Sequence, residues 1–207
     1  MARVYVSDDL WQRVEPLLPK HLRDRHVQYA GRKRIEDRKV LEGIVFALKT
    51  GVPWDAIPAT TNWPSGVTCW RRLIEWHRAG VWSKLFQNML AELRSRGKLN
   101  LEKTMVDCSY VRALEGGSKT GPNPTDRGKL GSKHHIIIDA HGIPIAIDLT
   151  EANRHEIKEL IKLVESIPPI RGKRGRPQQR PRRIQGDKAY DSEPHRKKLK
   201  KSTSSRN

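Results

Sequence analysis

Thr104-Met105-Val106-Asp107 and Arg183-Ile184-Gln185-Gly186-Asp187 are two short apolar runs, each closing on an aspartate. Their placement decides how the second half of the chain is read. Lys103 to Asp107 has strand character, as do Lys133 to Asp139 and Ile143 to Leu149, and the turn Ala140-His141-Gly142 joins the last two. His155 to Ser166 follows with helical spacing at Ile157, Leu160, Ile161 and Val164, and Arg182 to Gly186 is a further short strand that delivers Asp187. Strand, strand, strand, helix, strand is the order in which an antiparallel meander receives a crossover strand beside its first member. Asp107 and Asp187 would then end neighbouring strands.

The first half is built differently. All 6 tryptophans and both phenylalanines lie in the first 86 residues, whereas the rest relies on Ile, Val and Leu. Two domains are expected, a helical one over 1–97 and a mixed one over 98–207, divided where Gly97 follows a basic helical turn. Ser7 caps a helix through Leu10, Trp11, Val14 and Leu17, and Leu41, Ile44, Val45 and Leu48 mark a second that Gly51 ends. Ser65 opens a third with Val67, Trp70, Ile74 and His77 on one side. Val81, Trp82, Leu85, Phe86, Met89, Leu90 and Leu93 stripe a fourth.

Charge narrows the partner. With 41 Lys and Arg against 23 Asp and Glu, the net charge of +18 makes a polyanion the default ligand. Residues 168–207 alone hold fourteen of those cations and three acids, and within them 168–181 is a Pro/Gly/Arg run expected to be a loop that packs no core. The N-terminus has no signal-peptide apolar core and no apolar stretch is long enough to span a bilayer, so a cytoplasmic protein without a membrane partner is expected. Cys69 and Cys108 lie far apart with no C-x-x-C partner, which points to buried free thiols.

Carboxylates at the ends of adjacent strands in so basic a chain suit phosphodiester chemistry, because two oxygen-ligated metal ions roughly 3.5 to 4 Å apart stabilise both the attacking and the leaving oxygen. Spacing alone favours the simpler reading, that each is an ordinary strand-end or turn aspartate. Asp139 sits where an Asx turn explains it, and Asp148 near a strand-to-helix junction. Thr68, Arg71, Arg72, Glu75 and Arg78 form a second helical face opposite the tryptophans, preceded by the short turn Trp54-Asp55-Ala56-Ile57. That pair has the form of a helix-turn-helix entering a major groove, or of a solvated surface. The glycine-rich stretch Gly116 to Ser132 carries Lys119, Arg127 and Lys129 but lacks the order of a nucleotide-binding P-loop. His134 and His135 point to opposite strand faces and cannot share a metal.

Taken together, the motifs resemble bacterial insertion-sequence transposases of the DDE class, of the insertion-sequence-five type, over almost the whole chain. Leu10 to Pro19, Thr50-Gly51-Val52-Pro53-Trp54 and Trp70-Arg71-Arg72 resemble that group's N-terminal domain, Val106 to Ala113 its first catalytic segment and Gly186-Asp187-Lys188-Ala189-Tyr190-Asp191-Ser192 its second. Asp126 to His135, Asp139 to Pro144 and Leu149 to His155 resemble the segments between. The resemblance implies a helix-turn-helix-like domain followed by a ribonuclease-H-like domain of mixed α and β structure, Asp107 and Asp187 as catalytic residues and ligands of Mg2+ or Mn2+, and cutting and joining of duplex DNA at terminal inverted repeats. It implies a nucleoid location and a homodimer in a synaptic complex. Arg71, Arg72, Arg78, Arg127, Lys129, Lys133, Arg171, Lys173, Arg174 and Arg176 are the expected DNA contacts. The family's catalytic Glu lies on a helix further downstream, and Ser202 to Asn207 reads as neither helix nor strand. The ribonuclease-H-like domain is therefore expected to be incomplete and cleavage by this chain negligible, since small misplacements of phosphoryl-transfer groups cost orders of magnitude. A non-catalytic DNA-binding repressor of transposition is the alternative function.

Overall fold

A computed structural model describes residues 4–20, 34–58 and 63–204, with side chains through residue 200. The chain divides into two compact units, Met1–Asn88 and Met89–Asn207.

The first unit is helical. Helix α1 (Asp8–Val14) starts where Ser7 Oγ accepts from the Leu10 amide at 3.2 Å, and α2 (Asp37–Thr50) ends on Gly51, whose φ of 70° supplies the left-handed cap. A single 3-10 turn at Trp54–Ala56 precedes α3 (Gly66–Arg78), and α4 (Val81–Ser95) begins in this unit and ends in the next. Val14, Val40, Leu41, Ile44, Cys69, Trp76 and Val81 form the core. Two close approaches hold it. A Cβ on Gly43 would lie 2.6 Å from Cys69 Sγ, so α2 and α3 cross at minimal separation, and a Cβ on Gly66 would lie 1.6 Å from the Trp54 carbonyl oxygen. Gly66 thus lets α3 begin directly against the preceding turn.

The outward face of α3 differs from the expectation. Arg72 is only 6% exposed and its guanidinium pairs with Asp37 on α2 and with Glu75, while Trp70 is 47% and Val67 57% exposed. Cys69, Arg72 and Trp76 point inward at the i, i+3, i+7 spacing of one stripe. Arg72 therefore bridges helices inside the unit, and Trp70 shares a surface with Arg71.

The second unit is a five-stranded mixed sheet. Strand β1 (Thr104–Arg112) pairs antiparallel with β3 (Leu130–Ile138), which pairs with β4 (Pro144–Glu151) and with the two-residue β2 (Gly121–Pro122). After α5 (Glu156–Glu165), β5 (Ile184–Gln185) joins the other edge of β1 in parallel, with Thr104 opposite Ile184 and Met105 opposite Gln185. This is the expected crossover. The expected strand end is wrong, however: β1 runs five residues past Asp107, because β3 continues far enough to pair Arg112 with Gly131. Val106, Ile137, Ile145, Ala146, Leu160, Leu163 and Val164 fill the interior of this unit.

Two further corrections concern the tail. The segment expected to be neither helix nor strand belongs to α6 (Glu193–Ser204) as far as Ser204, while Ser205, Arg206 and Asn207 lie outside the described residues. The Lys-rich stretch consists of good helix formers, and the Ser192 carbonyl accepts the first helical bond from Arg196 at 2.9 Å. Within the Pro/Gly/Arg run, Ile170 is buried and exchanges backbone bonds with Gln178 at 2.8 and 2.9 Å, and Arg94 donates to its carbonyl. One apolar residue therefore packs where none was expected, and it ties both ends of the run.

Candidate active site and nucleic-acid interface

Asp107 lies in mid-strand on β1 and Asp187 two residues beyond the end of β5. The parallel pairing of β1 and β5 ends at Met105 and Gln185, two residues before each aspartate. The two segments stay close beyond it, since a Cβ on Gly186 would meet Val106 Cγ1 at 2.9 Å. Both side chains are exposed. Asp107 Oδ1 accepts from the Cys108 amide at 2.7 Å, and Asp187 Oδ1 accepts from the Ala189 amide at 2.9 Å, capping a 3-10 turn over Lys188–Tyr190. Each Oδ2 has no protein hydrogen-bond partner among the described residues. Tyr190 packs beside Gly186 and its amide donates to the Asp187 carbonyl at 3.1 Å; the ionisation of its buried phenol is pushed up by burial and by the neighbouring Cys108 thiol. Beside Asp187 opens a cavity of about 410 Å3 lined by Val106, Leu160, Ile184, Lys188, Tyr190 and Arg196.

Five other acids of the unit are engaged elsewhere. Asp139 is fully buried and accepts from the amides of Asn100, His141 and Ile143, each at 2.8 Å, as the turn reading requires. Asp148 lies within β4 and caps no helix: it binds Lys162 at 2.6 Å and Lys119 at 3.5 Å. Asp191 pairs with Arg196, and Glu193 with Lys197. Glu156 lies at the start of α5, where its Oε1 accepts from the Lys133 ammonium at 2.6 Å and from the Tyr110 hydroxyl at 3.4 Å. Tyr110 and Lys133 occupy the α5-facing side of the sheet, opposite to the Asp107 side. Among the described residues no group of three His, Cys, Asp or Glu side chains could hold a metal ion. His135 is buried with Nε2 2.9 Å from Thr150 Oγ1, and His134 faces the other way and is exposed, as alternation requires.

The expected DNA contacts separate into two groups. Arg71, Arg78, Arg127, Lys129, Arg171, Lys173, Arg174 and Arg176 are exposed. Arg72 and Lys133 are not: Lys133 is 2% exposed, donates to Glu156 and to the Arg154 carbonyl, and lies over the Tyr110 ring at 4.8 Å. Neither can reach a phosphate without breaking an interior pair. What could have flagged Lys133 is its place between Gly131 and His135 on a strand whose alternate residues face the helix. Arg127, with a φ of 53°, follows Asp126, which holds Arg112 in a two-bond pair at 2.5 and 3.1 Å, so the glycine-rich segment is braced against β1.

Comparison with known proteins identifies the family of this basic chain with its helical unit and mixed sheet. Residues 6–86 match a family described as "Putative transposase of IS4/5 family" and residues 92–205 match the "Transposase DDE domain", so the chain belongs to the DDE transposases of the IS4/5 family. It is 43% identical over 124 residues to "Insertion element IS402 uncharacterized 16.2 kDa protein" of Burkholderia cepacia, covering 60% of this chain and 84% of that protein. It is 56% identical over 85 residues to "Putative transposase for insertion sequence element IS402" of the same organism, covering 41% of this chain and 40% of that one. The chain thus spans two fifths of the length of that second relative. No solved structure matches. No helix among the described residues is long and apolar enough to cross a membrane.

Proposed function

We propose that the chain engages the ends of an insertion element, with residues 1–97 binding duplex DNA at terminal inverted repeats and residues 98–207 forming part of a ribonuclease-H-like unit in which Asp107 and Asp187 ligate Mg2+, or Mn2+ in its place. The observation that supports this reading is the parallel pairing of β1 with β5, which ends two residues before each of two exposed carboxylates, each with one oxygen turned to its own backbone and the other free of protein donors among the described residues. Oxygen donors of this kind suit a hard cation, which when bound would offset the repulsion between the carboxylates and stabilise charge on reacting phosphate oxygens. Asp187 is oriented by the 3-10 turn it caps and Asp107 by its strand, so the chain supplies two ligands on rigid backbone. Asp139, Asp148, Glu156, Asp191 and Glu193 are paired or buried against backbone amides. The helix-turn-helix form of the first unit rests on the close seating of α3 against the Trp54 turn.

The second reading is a non-catalytic DNA-binding protein that occupies element ends and restrains transposition, which the basic charge of the chain supports equally. A homodimer in a synaptic complex and a cytoplasmic, nucleoid-associated location follow from the same reading. Manganese binding read by electron paramagnetic resonance tests the site: weak binding in the native chain, lost in Asp107→Ala and in Asp187→Ala, with DNA affinity unchanged in both. Binding that persists in the two variants removes the metal assignment. Magnesium-dependent nicking by the purified 207-residue chain, abolished by Asp107→Ala, would favour the transposase reading and overturn the non-catalytic one.

A further inference from the structure

On α3, Val67, Trp70, Arg71, Ile74, His77 and Arg78 follow the i, i+3, i+4, i+7, i+10, i+11 pattern of one helix face, opposite the buried Cys69, Arg72 and Trp76. Val67 is 57% and Trp70 47% exposed, and both belong to the first half of the helix. Arg71 and Arg78, on the same side, have no ion-pair partner among the described residues. Two large apolar side chains between unpaired cations are a costly surface for a helix that needs only solubility. Trp70 is braced as well, with its ring 5.5 Å from that of Trp54 at an interplanar angle of 56°, so presenting it to a ligand costs little side-chain entropy.

We infer that this face reads DNA sequence through thymine methyl groups, with Val67 and Trp70 contacting the methyls in the major groove while Arg71 and Arg78 hold phosphates. The inference rests on the DNA-binding reading of the first unit and adds which residues supply specificity. Charge selects the occupant: the chain carries +18, and the acid beside Arg71 and Arg78 on this side of the helix, Glu75, is already paired with Arg72 and Arg34. The major groove admits a helix, the N-terminal residues of a groove-lying helix are those that reach base edges, and the one apolar group there is the thymine methyl. Arg78, at the far end of α3, is placed for the backbone instead.

The test uses the full chain and a 20-base-pair duplex recovered by repeated selection from random sequence, with binding read by fluorescence anisotropy. Replacing the selected thymines by deoxyuridine removes only the methyls, and should weaken binding by about tenfold, within the range of a single specific base contact. Trp70→Ala should weaken binding to the thymine duplex by a similar factor, with no further loss on the uracil duplex and no change in salt dependence. Arg71→Ala should reduce the log–log salt slope by about 0.9 on any duplex. Circular dichroism checks that Trp70→Ala retains its helices, and Val67→Ala, which removes less, repeats the measurement.

Several outcomes overturn the inference. One is equal loss by Trp70→Ala on selected and scrambled duplexes; another is a variant that still senses the methyls. A third is a change in self-association with DNA binding intact, which would make the face a protein interface. If native chain binds duplex DNA with steep salt dependence but selection yields no preferred sequence, this inference fails and the DNA-binding function stands. If it binds no duplex, the function itself fails.

Discussion

Lys133 and Glu156 are the residues whose chemistry depends most on each other. Burial alone would push the Glu156 carboxyl up, but the hydrogen bond and charge of the Lys133 ammonium overrule it and hold it at about 2. Burial would likewise lower Lys133, and the bonds to Glu156 and Tyr110 raise it above its ordinary value of 10.5. The depressed carboxyl contributes stability that is complete above its ordinary value of 4.5 and is lost as pH falls toward about 2. The raised ammonium contributes stability that is complete below its ordinary 10.5 and is lost as pH rises through its folded value. Glu156→Gln leaves a buried cation without its counter-charge, and should destabilise the second unit by about 3–5 kcal/mol at neutral pH in urea titration. It should also flatten the acid limb between pH 4.5 and 2. Lys133→Met combined with Glu156→Leu should recover most of the neutral-pH loss, which marks the pair as a device of register rather than of net stability. Cys69 gives a simpler contrast: desolvation raises its thiol to about 11, so it should resist thiol reagents until the first unit unfolds, a rate followed by mass spectrometry.

At the scale of elements, α3 shows where sequence patterning stops being informative. Its spacing gives the helix and both caps, because Ser65, the apolar period and Gly80 are local signals. Which face turns inward is not local. Apolar residues occur on both sides of the helix, and Arg71 and Arg72 are alike as residues; the choice is made by Asp37, thirty-five positions away, and by the two glycines that let α2 and the Trp54 turn come close. Gly66→Ala tests that seating. Its methyl would collide with backbone rather than a movable side chain, so the turn or the helix start must shift, costing about 3 kcal/mol by thermal or urea unfolding. Gly43→Ala should cost less, because the atom it meets is the Sγ of a side chain. Strand ends were opaque for a related reason. The length of β1 is set by how far β3 runs alongside it, and the exposed half of β1 after Asp107 has no apolar run of its own to announce it.

For the whole molecule, the order of the sheet was legible because each strand and the crossover helix carries one unmixed period, and only one arrangement puts a parallel strand beside the first. That order is also what brings segments eighty residues apart to neighbouring strands, Thr104 opposite Ile184 and Met105 opposite Gln185, so the pairing is a product of topology and not of any local motif. The charge of the molecule was equally plain, but its distribution was not: Arg72 and Lys133 are spent on interior pairs, while Arg171, Lys173 and Arg174 stand exposed on the 168–181 run. Exposed cations contribute to DNA affinity through counterion release, so each that touches a phosphate should add about 0.9 to the salt slope. Replacing Arg171, Lys173 and Arg174 together by Ala should therefore lower the slope by up to about 2.7 and weaken binding to all duplexes alike, as read by anisotropy across a salt series. Arg72→Ala should behave differently. It leaves Asp37 without its buried partner, so the first unit should lose stability, and the DNA salt slope of the remaining folded protein should stay where it was. A slope that falls with Arg72→Ala while unfolding is unchanged would mean that the guanidinium leaves Asp37 to meet DNA, and that the interior pair is not its resting place in the complex.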